Sequence, residues 1–121
     1  MGKRVLVVED DEDNRRIVTK ILTIDGFEVE EAVDGYQALK IAREWKPDLI
    51  LLDLGLPGLN GREVAKQMKA DAVLRLIPTV ALTAFAMRGD EEQARAAGCD
   101  DYLPKPARPA EIREIVHKHL G

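Results

Sequence analysis

Short apolar runs alternate along the chain with segments in which apolar residues recur at helical spacing. Apolar runs lie at residues 5–8, 49–52 and 80–82, with a short one at 102–103, and a further run at 27–30 alternates apolar with polar residues. Such alternation of strands with helices is typical of a parallel sheet that carries helices on both faces. The pattern therefore predicts a doubly wound α/β fold, (βα)5, with five parallel strands.

The helical segments carry their own start and stop signals. Asp34 with Gln37, and Asn60 with Glu63, have the spacing of N-terminal caps, and Pro109 suits the first turn of the last helix. Glycines suited to ending helices follow the first and fourth segments, at Gly26 and Gly98, and the fourth helix is expected over about 86–97. The residues predicted to face the sheet are Ile17, Val18, Ile21 and Leu22; Ala38, Ile41, Ala42 and Trp45; Val64, Ala65 and Met68; and Ile112, Ile115, Val116, His119 and Leu120.

The alternating run at 27–30 predicts the strand order. A strand with one solvent-exposed face, as residues 27–30 predict, suits the edge of a sheet. The runs ending at Glu9, Asp53 and Thr83 are apolar throughout and suit the interior of the sheet. This favours the order 2-1-3-4-5, in which strands one and three are neighbours and the chain reverses direction between them. A ligand site is then expected at the carboxyl ends of these two strands.

Length and composition narrow the class of protein. With 121 residues the chain fits one domain, residues 1–121, and needs no disulfide; its single cysteine, Cys99, suits a small buried hydrophobe. The net charge is −4, without a basic tract, which disfavours direct nucleic-acid binding. No apolar stretch approaches about 18 residues and the start is unlike a signal peptide, so we expect a soluble cytoplasmic protein with no membrane contact.

Charged and polar residues follow the predicted strands. Glu9 and Asp10 come after the first, Asp53 ends the third, Thr83 ends the fourth and Lys105 follows the fifth. Two carboxylates about 4 Å apart repel by roughly 4 kcal/mol at an effective dielectric near 20, so a cation or a raised pKa is expected. An all-oxygen ligand set favours Mg²⁺.

Other charged residues have ordinary interpretations. Asp11, Glu12 and Asp13 suit a solvated run at a helix N-terminus. His117 and His119, two residues apart on a helix, point to different faces and suit surface or packing roles.

Lys105 and Thr83 complete a candidate phosphoryl site. Lys105 stands between two prolines, so its backbone is stiff, and a cis bond to Pro106 would turn the ammonium toward the sheet edge. Each residue is unremarkable alone. Together with Asp53 and the acids they supply a donor, a point charge, a metal site and a nucleophile. No nucleotide-binding glycine loop of either common type follows the first strand.

The same residues resemble a known family. The matching segments are Val7-Val8-Glu9-Asp10, Asp53 followed by Pro57 and Gly61, Thr83-Ala84, and Lys105-Pro106. In this order they resemble the receiver domain of two-component response regulators, CheY-like and flavodoxin-like in fold, over essentially the whole chain. Residues 83–90 and 98–102 are similar to DivK-type single-domain regulators and to the receivers of hybrid histidine kinases.

The resemblance implies a role for each matching residue. Asp53 would accept a phosphoryl group from the phosphohistidine of a sensor histidine kinase or phosphotransfer protein, or from a small phosphodonor. The other implied roles are Mg²⁺ binding by Glu9, Asp10, Asp53 and the carbonyl of Gly55; phosphoryl contacts by Thr83, Lys105 and the amide of Ala84; and switching by Thr83 and Tyr102. A downstream protein target would bind helix four, strand five and helix five, so the chain would act as a switch and not as a turnover enzyme.

Three positions depart from the family pattern. Glu9 replaces the more usual aspartate, Gly55 offers no side chain near Asp53, and Phe85 is bulky. We expect Gly55 and Phe85 to slow self-hydrolysis of the phosphorylated form. Two alternatives remain: a phosphatase of the haloacid-dehalogenase kind, which requires an aspartate where Gly55 stands, and an interaction-only receiver with a vestigial site, which the retained acids, Thr83 and Lys105 disfavour.

Overall fold

The computed structural model describes residues 2–83 and 90–121, the side chain of Asp90 excepted. Strands and helices alternate as the apolar pattern predicts, and within these described residues the only addition is a short 3-10 helix before the fourth strand. In chain order the elements are β1 (Arg4–Val8), α1 (Glu12–Ile24), β2 (Glu28–Ala32), α2 (Gly35–Trp45), β3 (Leu49–Asp53), α3 (Gly61–Ala70), the 3-10 helix (Leu74–Leu76), β4 (Thr79–Thr83), α4 (Asp90–Ala96), β5 (Asp101–Pro104) and α5 (Pro109–Leu120).

The five strands form one parallel sheet in the order β2-β1-β3-β4-β5, which confirms the predicted topology. β2 lies at one edge of the sheet and its burial alternates, whereas β3 and β4 are buried throughout. In the register, Val8 lies opposite Leu52 and Asp53 opposite Leu82. The residues that end or follow β1, β3 and β4 therefore meet at one edge of the sheet.

Helices cover both faces of the sheet and form two apolar cores. Buried residues of α2, α3 and α4 pack on one face, and those of α1 and α5 on the other. Cys99 lies in the first core as a free, buried thiol. None of the described helices is long and apolar enough to cross a membrane.

Most helix boundaries agree with their sequence signals. The side chains of Asp34 and Asn60 accept the amide N–H groups of Gln37 and Glu63 at 2.8 and 3.0 Å. In a capping box the Gln37 side chain would in turn accept the amide N–H of Asp34. At α2 it accepts the amide N–H of Val33 instead. Gly26 and Gly98 follow α1 and α4 with φ of 93° and 107°, and Pro109 opens α5. The expected start of the fourth helix lies outside the described residues.

One residue of the expected core is exposed. Ile17 has 56% of its surface accessible, while Ile21 and Leu22 of the same helix are buried. Because α1 lies over the sheet on the stripe of Ile21 and Leu22, Ile17 is turned to the rim of an apolar groove between α1 and α5. This groove, of about 450 Å³, runs toward Lys105.

Candidate functional site

Two buried carboxylates stand side by side at the carboxyl edge of the sheet. Asp53 is the last residue of β3 and Glu9 follows the end of β1, and they are 5% and 3% exposed. The amide N–H of Glu9 donates to the carbonyl of Ala32 on β2 at 3.0 Å. The sheet therefore holds both acids in place away from bulk water.

Asp10 adds a third carboxylate to this pair. Oxygen atoms of Glu9, Asp10 and Asp53 all lie within 4.8 Å of one another, and Asp10 is exposed to solvent. This donor set consists of oxygen alone and has one open side, which suits a hard cation such as Mg²⁺ that keeps part of its water shell. The residues therefore fit the metal that the sequence predicts.

Gly55 contacts the same carboxylate through its backbone. Its amide N–H donates to Oδ1 of Asp53 at 2.9 Å, within the turn that follows β3. This bond orients the Asp53 carboxyl group. The role of the Gly55 carbonyl as a metal ligand stays a prediction.

Lys105 joins the two buried acids. Its Nζ atom lies 3.0 Å from both carboxylate oxygens of Glu9 and 3.2 Å from Oδ2 of Asp53. Its amide N–H donates to the carbonyl of Thr83 at 2.7 Å, and its bond to Pro106 is cis, as the sequence suggests. The ammonium thus compensates for two neighbouring negative charges.

The proximity of these groups changes their pKa values. Burial, together with Asp53, raises the pKa of Glu9 to about 7, although Lys105 opposes the shift. Burial also disfavours ionised Asp53, but hydrogen bonds from Glu9 and the Gly55 amide and the charge of Lys105 outweigh it and lower its pKa. Burial disfavours ionised Lys105, and its two acidic partners more than offset this and raise its pKa. Near neutral pH Asp53 is consequently ionised while Glu9 is partly protonated.

Of the remaining predicted site residues, the structure describes the positions of Thr83 and Tyr102. Thr83 ends β4 and is buried beside the site, opposite Pro104 in the register. Tyr102 lies on β5, half-buried against the core under α2, α3 and α4. Ala84 and Phe85 lie outside the described residues. The switching role of Thr83 and Tyr102 stays a prediction.

The two histidines stand at the other end of the sheet. Nε2 of His119 lies 3.1 Å from Oδ2 of Asp101, the first residue of β5, and the ring of His117 packs against Phe27. His117 therefore has a packing role, as the sequence indicates, whereas His119 makes a polar contact with a buried acid.

Sequence reasoning did not single out two polar residues that contact Glu9. Nδ2 of Asn14 lies 3.3 Å from Oε1 of Glu9 and 2.9 Å from Oδ2 of Asp11, and Nη1 of Arg15 donates to the Glu9 carbonyl at 3.0 Å. Asp11 caps α1 through the amide of Asp13, as expected for acids at a helix start. The sequence did carry a signal for Asn14 and Arg15, which lie near the start of the helix that follows the acids. Side chains of a helix point back toward its N-terminus, so these two are directed toward the end of the strand.

Comparison with known proteins assigns the family. The family model described as the response regulator receiver domain matches residues 5–117. This chain belongs to the response regulator receiver domain family. As a receiver domain it is a component of two-component signalling.

Individual relatives of the receiver domain agree with this assignment. This chain is 44% identical to the polar-differentiation response regulator DivK of Brucella anthropi, over 100% of its own length and 98% of that protein. A response regulator structure from Chloroflexus aurantiacus superposes with a TM-score of 0.95 at 29% identity, covering 99% and 98% of the two chains. The receiver domain of a sensor histidine kinase from Pseudomonas aeruginosa superposes with a TM-score of 0.93 at 36% identity, covering 100% of this chain and 99% of that one. That structure holds a magnesium ion in its active-site cleft.

Proposed function

We propose that this receiver domain, residues 1–121 acting as one unit, takes up a phosphoryl group on Asp53 in a Mg²⁺-dependent reaction. The observation that carries the proposal is the position of Lys105, whose Nζ atom lies 3.2 Å from Oδ2 of Asp53 in a pocket shared with Glu9. An ammonium, a buried nucleophilic carboxylate and an acidic cation site are the parts that phosphoryl transfer requires. The domain acts as a switch and not as a turnover enzyme.

Asp53 is the nucleophile of the proposed reaction. Its carboxyl is ionised at neutral pH because its pKa is lowered by Glu9, the Gly55 amide and Lys105 against the effect of burial. A carboxylate oxygen attacks phosphorus in line with the bond to the donor histidine. The P–O bond forms as the P–N bond breaks, and the electron pair of that bond leaves on the imidazole nitrogen, which then takes up a proton.

The neighbouring residues stabilise the transferred group. The Lys105 ammonium offsets charge on the phosphoryl oxygens, and the Thr83 hydroxyl donates a hydrogen bond to one of them. The amide of Ala84 is proposed as a further donor. Glu9, Asp10 and Asp53, with the carbonyl of Gly55, would hold Mg²⁺, which would supply positive charge to offset that of the same oxygens.

The proposed partners follow from this chemistry. The donor is a sensor histidine kinase or a phosphotransfer protein in the cytoplasm, and a small phosphodonor substitutes for it in vitro. Movement of Thr83 toward the phosphoryl group, with inward rotation of Tyr102, would alter a surface formed by α4, β5 and α5. A downstream protein target reads that surface.

Intact-mass spectrometry after incubation with Mg²⁺ and acetyl phosphate tests the proposal. We expect the wild type to gain the mass of one phosphoryl group and Asp53→Asn to gain none. Asp13→Asn, which removes an exposed acid of α1, is the matched control and should gain the group normally. An equal gain in Asp53→Asn refutes the assignment of the acceptor.

Two other outcomes distinguish the alternative functions. A wild type that gains no mass supports an interaction-only receiver with a vestigial site. Release of many phosphates per chain supports a phosphatase, and Gly55 argues against this because that chemistry needs a carboxylate in its place.

A further inference from the structure

Arg15 of α1 contacts both β2 and the segment that follows β1, beside the acidic site. Its Nη1 atom donates to the backbone carbonyl of Glu9 at 3.0 Å, and its Nε atom donates to Oε1 of Glu31 on β2 at 3.1 Å. The other oxygen of Glu31 accepts a hydrogen bond from the Thr19 hydroxyl at 2.6 Å. The Arg15 side chain is 13% exposed, whereas that of the adjacent Arg16 is 72% exposed and pairs only with Glu12 among the described ion pairs.

The contact of Arg15 with the Glu9 carbonyl restrains the backbone between two of the acids. Glu9 and Asp10 lie between the end of β1 at Val8 and the start of α1 at Glu12. The amide of Glu9 is already bonded to Ala32 of β2. With Arg15 on its carbonyl, both backbone polar groups of Glu9 are tied to β2, one directly and one through Glu31.

We propose that Arg15 is a positioning residue for the cation site, and that Glu31 orients Arg15 for this role. The inference rests on the proposed Mg²⁺ site at Glu9, Asp10 and Asp53. Arg15 holds the peptide group that joins Glu9 to Asp10, so it sets the direction of both carboxylates. Partners that orient metal ligands in this way commonly change metal affinity by about 10–100-fold when they are removed.

Electrostatics alone predicts the opposite sign. Arg15 carries a positive charge next to a site for a dication, so removing that charge without other effect should strengthen metal binding. A positioning role predicts weaker binding. The direction of the change therefore separates the two explanations.

The test measures Mn²⁺ binding to the full chain from loss of the electron paramagnetic resonance signal of the free aqua ion. We expect Arg15→Gln to weaken binding by about tenfold, the lower end of the range for such partners. Arg15→Lys should also weaken it, because an ammonium keeps the charge but cannot contact Glu9 and Glu31 with two fixed N–H groups. The matched control, Arg16→Gln, should bind like the wild type or slightly more tightly.

A double-mutant cycle tests the role of Glu31. Glu31→Gln should weaken Mn²⁺ binding in the wild-type background and have no further effect when Arg15 is already Gln. A charge effect of Glu31 would persist in both backgrounds. Thermal unfolding in EDTA confirms that each variant is folded, and should Arg15→Gln not fold, Arg15→Lys and Glu31→Gln decide the question.

The outcomes distinguish this inference from the proposed function. If the wild type binds Mn²⁺ and Asp10→Asn does not, the cation site is established. Unchanged or tighter binding in Arg15→Gln then refutes the positioning role of Arg15 and leaves the cation site established. A wild type that binds no Mn²⁺ refutes the cation site and this inference with it.

Discussion

The Nζ atom of Lys105 contacts both carboxylate oxygens of Glu9 at 3.0 Å, across 96 positions in the chain. The same atom lies 3.2 Å from Asp53, so one ammonium stands between two buried acids. In the metal-free protein this arrangement limits the repulsion of the two acids. It also agrees with the proposed contact between Lys105 and a phosphoryl group on Asp53.

Removal of the Lys105 charge should destabilise the metal-free protein. In Lys105→Met we expect the free energy of unfolding in EDTA at pH 8 to fall by about 1–3 kcal/mol, the usual cost of leaving a buried polar partner unsatisfied. Urea denaturation measures this change. Lys66→Met, at an exposed position of α3, is the control and should lie within about 0.5 kcal/mol of the wild type. Equal stability of the two variants would contradict the compensating role of Lys105.

Metal affinity should depend on pH through Glu9. The pKa of Glu9 is raised from 4.5 to about 7, by burial first and by Asp53, and a bound cation requires the ionised form. Affinity for Mg²⁺ should therefore fall as the pH falls through about 7, and binding at pH 6.5 should release a proton. Calorimetry in two buffers of different ionisation enthalpy measures the released proton. Binding without proton release at this pH would count against the raised pKa.

The same shift predicts a change in stability with pH. Glu9 binds its proton more tightly in the folded than in the unfolded protein, so its contribution to stability is present below pH 4.5 and is lost as the pH rises to about 7. We expect urea denaturation of the wild type in EDTA to show this decline. Glu9→Gln, which has no proton to lose, should show less of it, and an identical decline in both proteins would assign it to another group.

The absence of a side chain at residue 55 should prolong the phosphorylated state. A Cβ atom built at Gly55 lies 3.5 Å from Oδ1 of Asp53, an ordinary contact, so a side chain fits there. In Gly55→Asn an amide can orient attacking water, and we expect the half-life of the phosphoryl group to shorten by about tenfold, below the 10²–10⁴ range of full acid–base assistance. Loss of radiolabel measures the half-life. Gly58→Asn, in the same loop, is the control, and equal half-lives in all three proteins would reject the hypothesis.

Gly61 should tolerate no side chain. A Cβ atom at this position would lie 2.4 Å from the carbonyl oxygen of Asp53 and 2.6 Å from Cα of Leu54, and both of these are backbone atoms. Gly61→Ala must therefore shift α3 away from the end of β3, with a loss of stability of about 1–3 kcal/mol. Thermal or urea unfolding measures the loss, with Gly55→Ala as the control that has room for its methyl group. A wild-type stability in Gly61→Ala would show that this close approach is not required.

The agreement between sequence and structure is greatest for the sheet. The apolar runs and the glycines after α1 and α4 indicate the elements correctly because strand and helix periodicity are local properties. The alternation at residues 27–30 indicates the strand order because it marks a strand at the edge of the sheet. Agreement is weaker for the burial of individual helix residues. The periodicity of α1 places Ile17 in the core, but the way that α1 lies over the sheet leaves Ile17 at the groove beside α5.

The sequence by itself determined the fold class, the strand order and the set of acids expected at the sheet edge, because parallel strands bring their carboxyl ends to one side. The tertiary structure decided which of these groups touch. The contact of Lys105 with Glu9 and Asp53, and that of Arg15 with Glu9 and Glu31, depend on side-chain directions set by packing between distant elements. Pattern and spacing carry no information on such distances. The sequence predicts that a cation or a raised pKa offsets the repulsion of the acids, but which acid has the raised pKa, and which groups Arg15 contacts, emerge only from the folded chain.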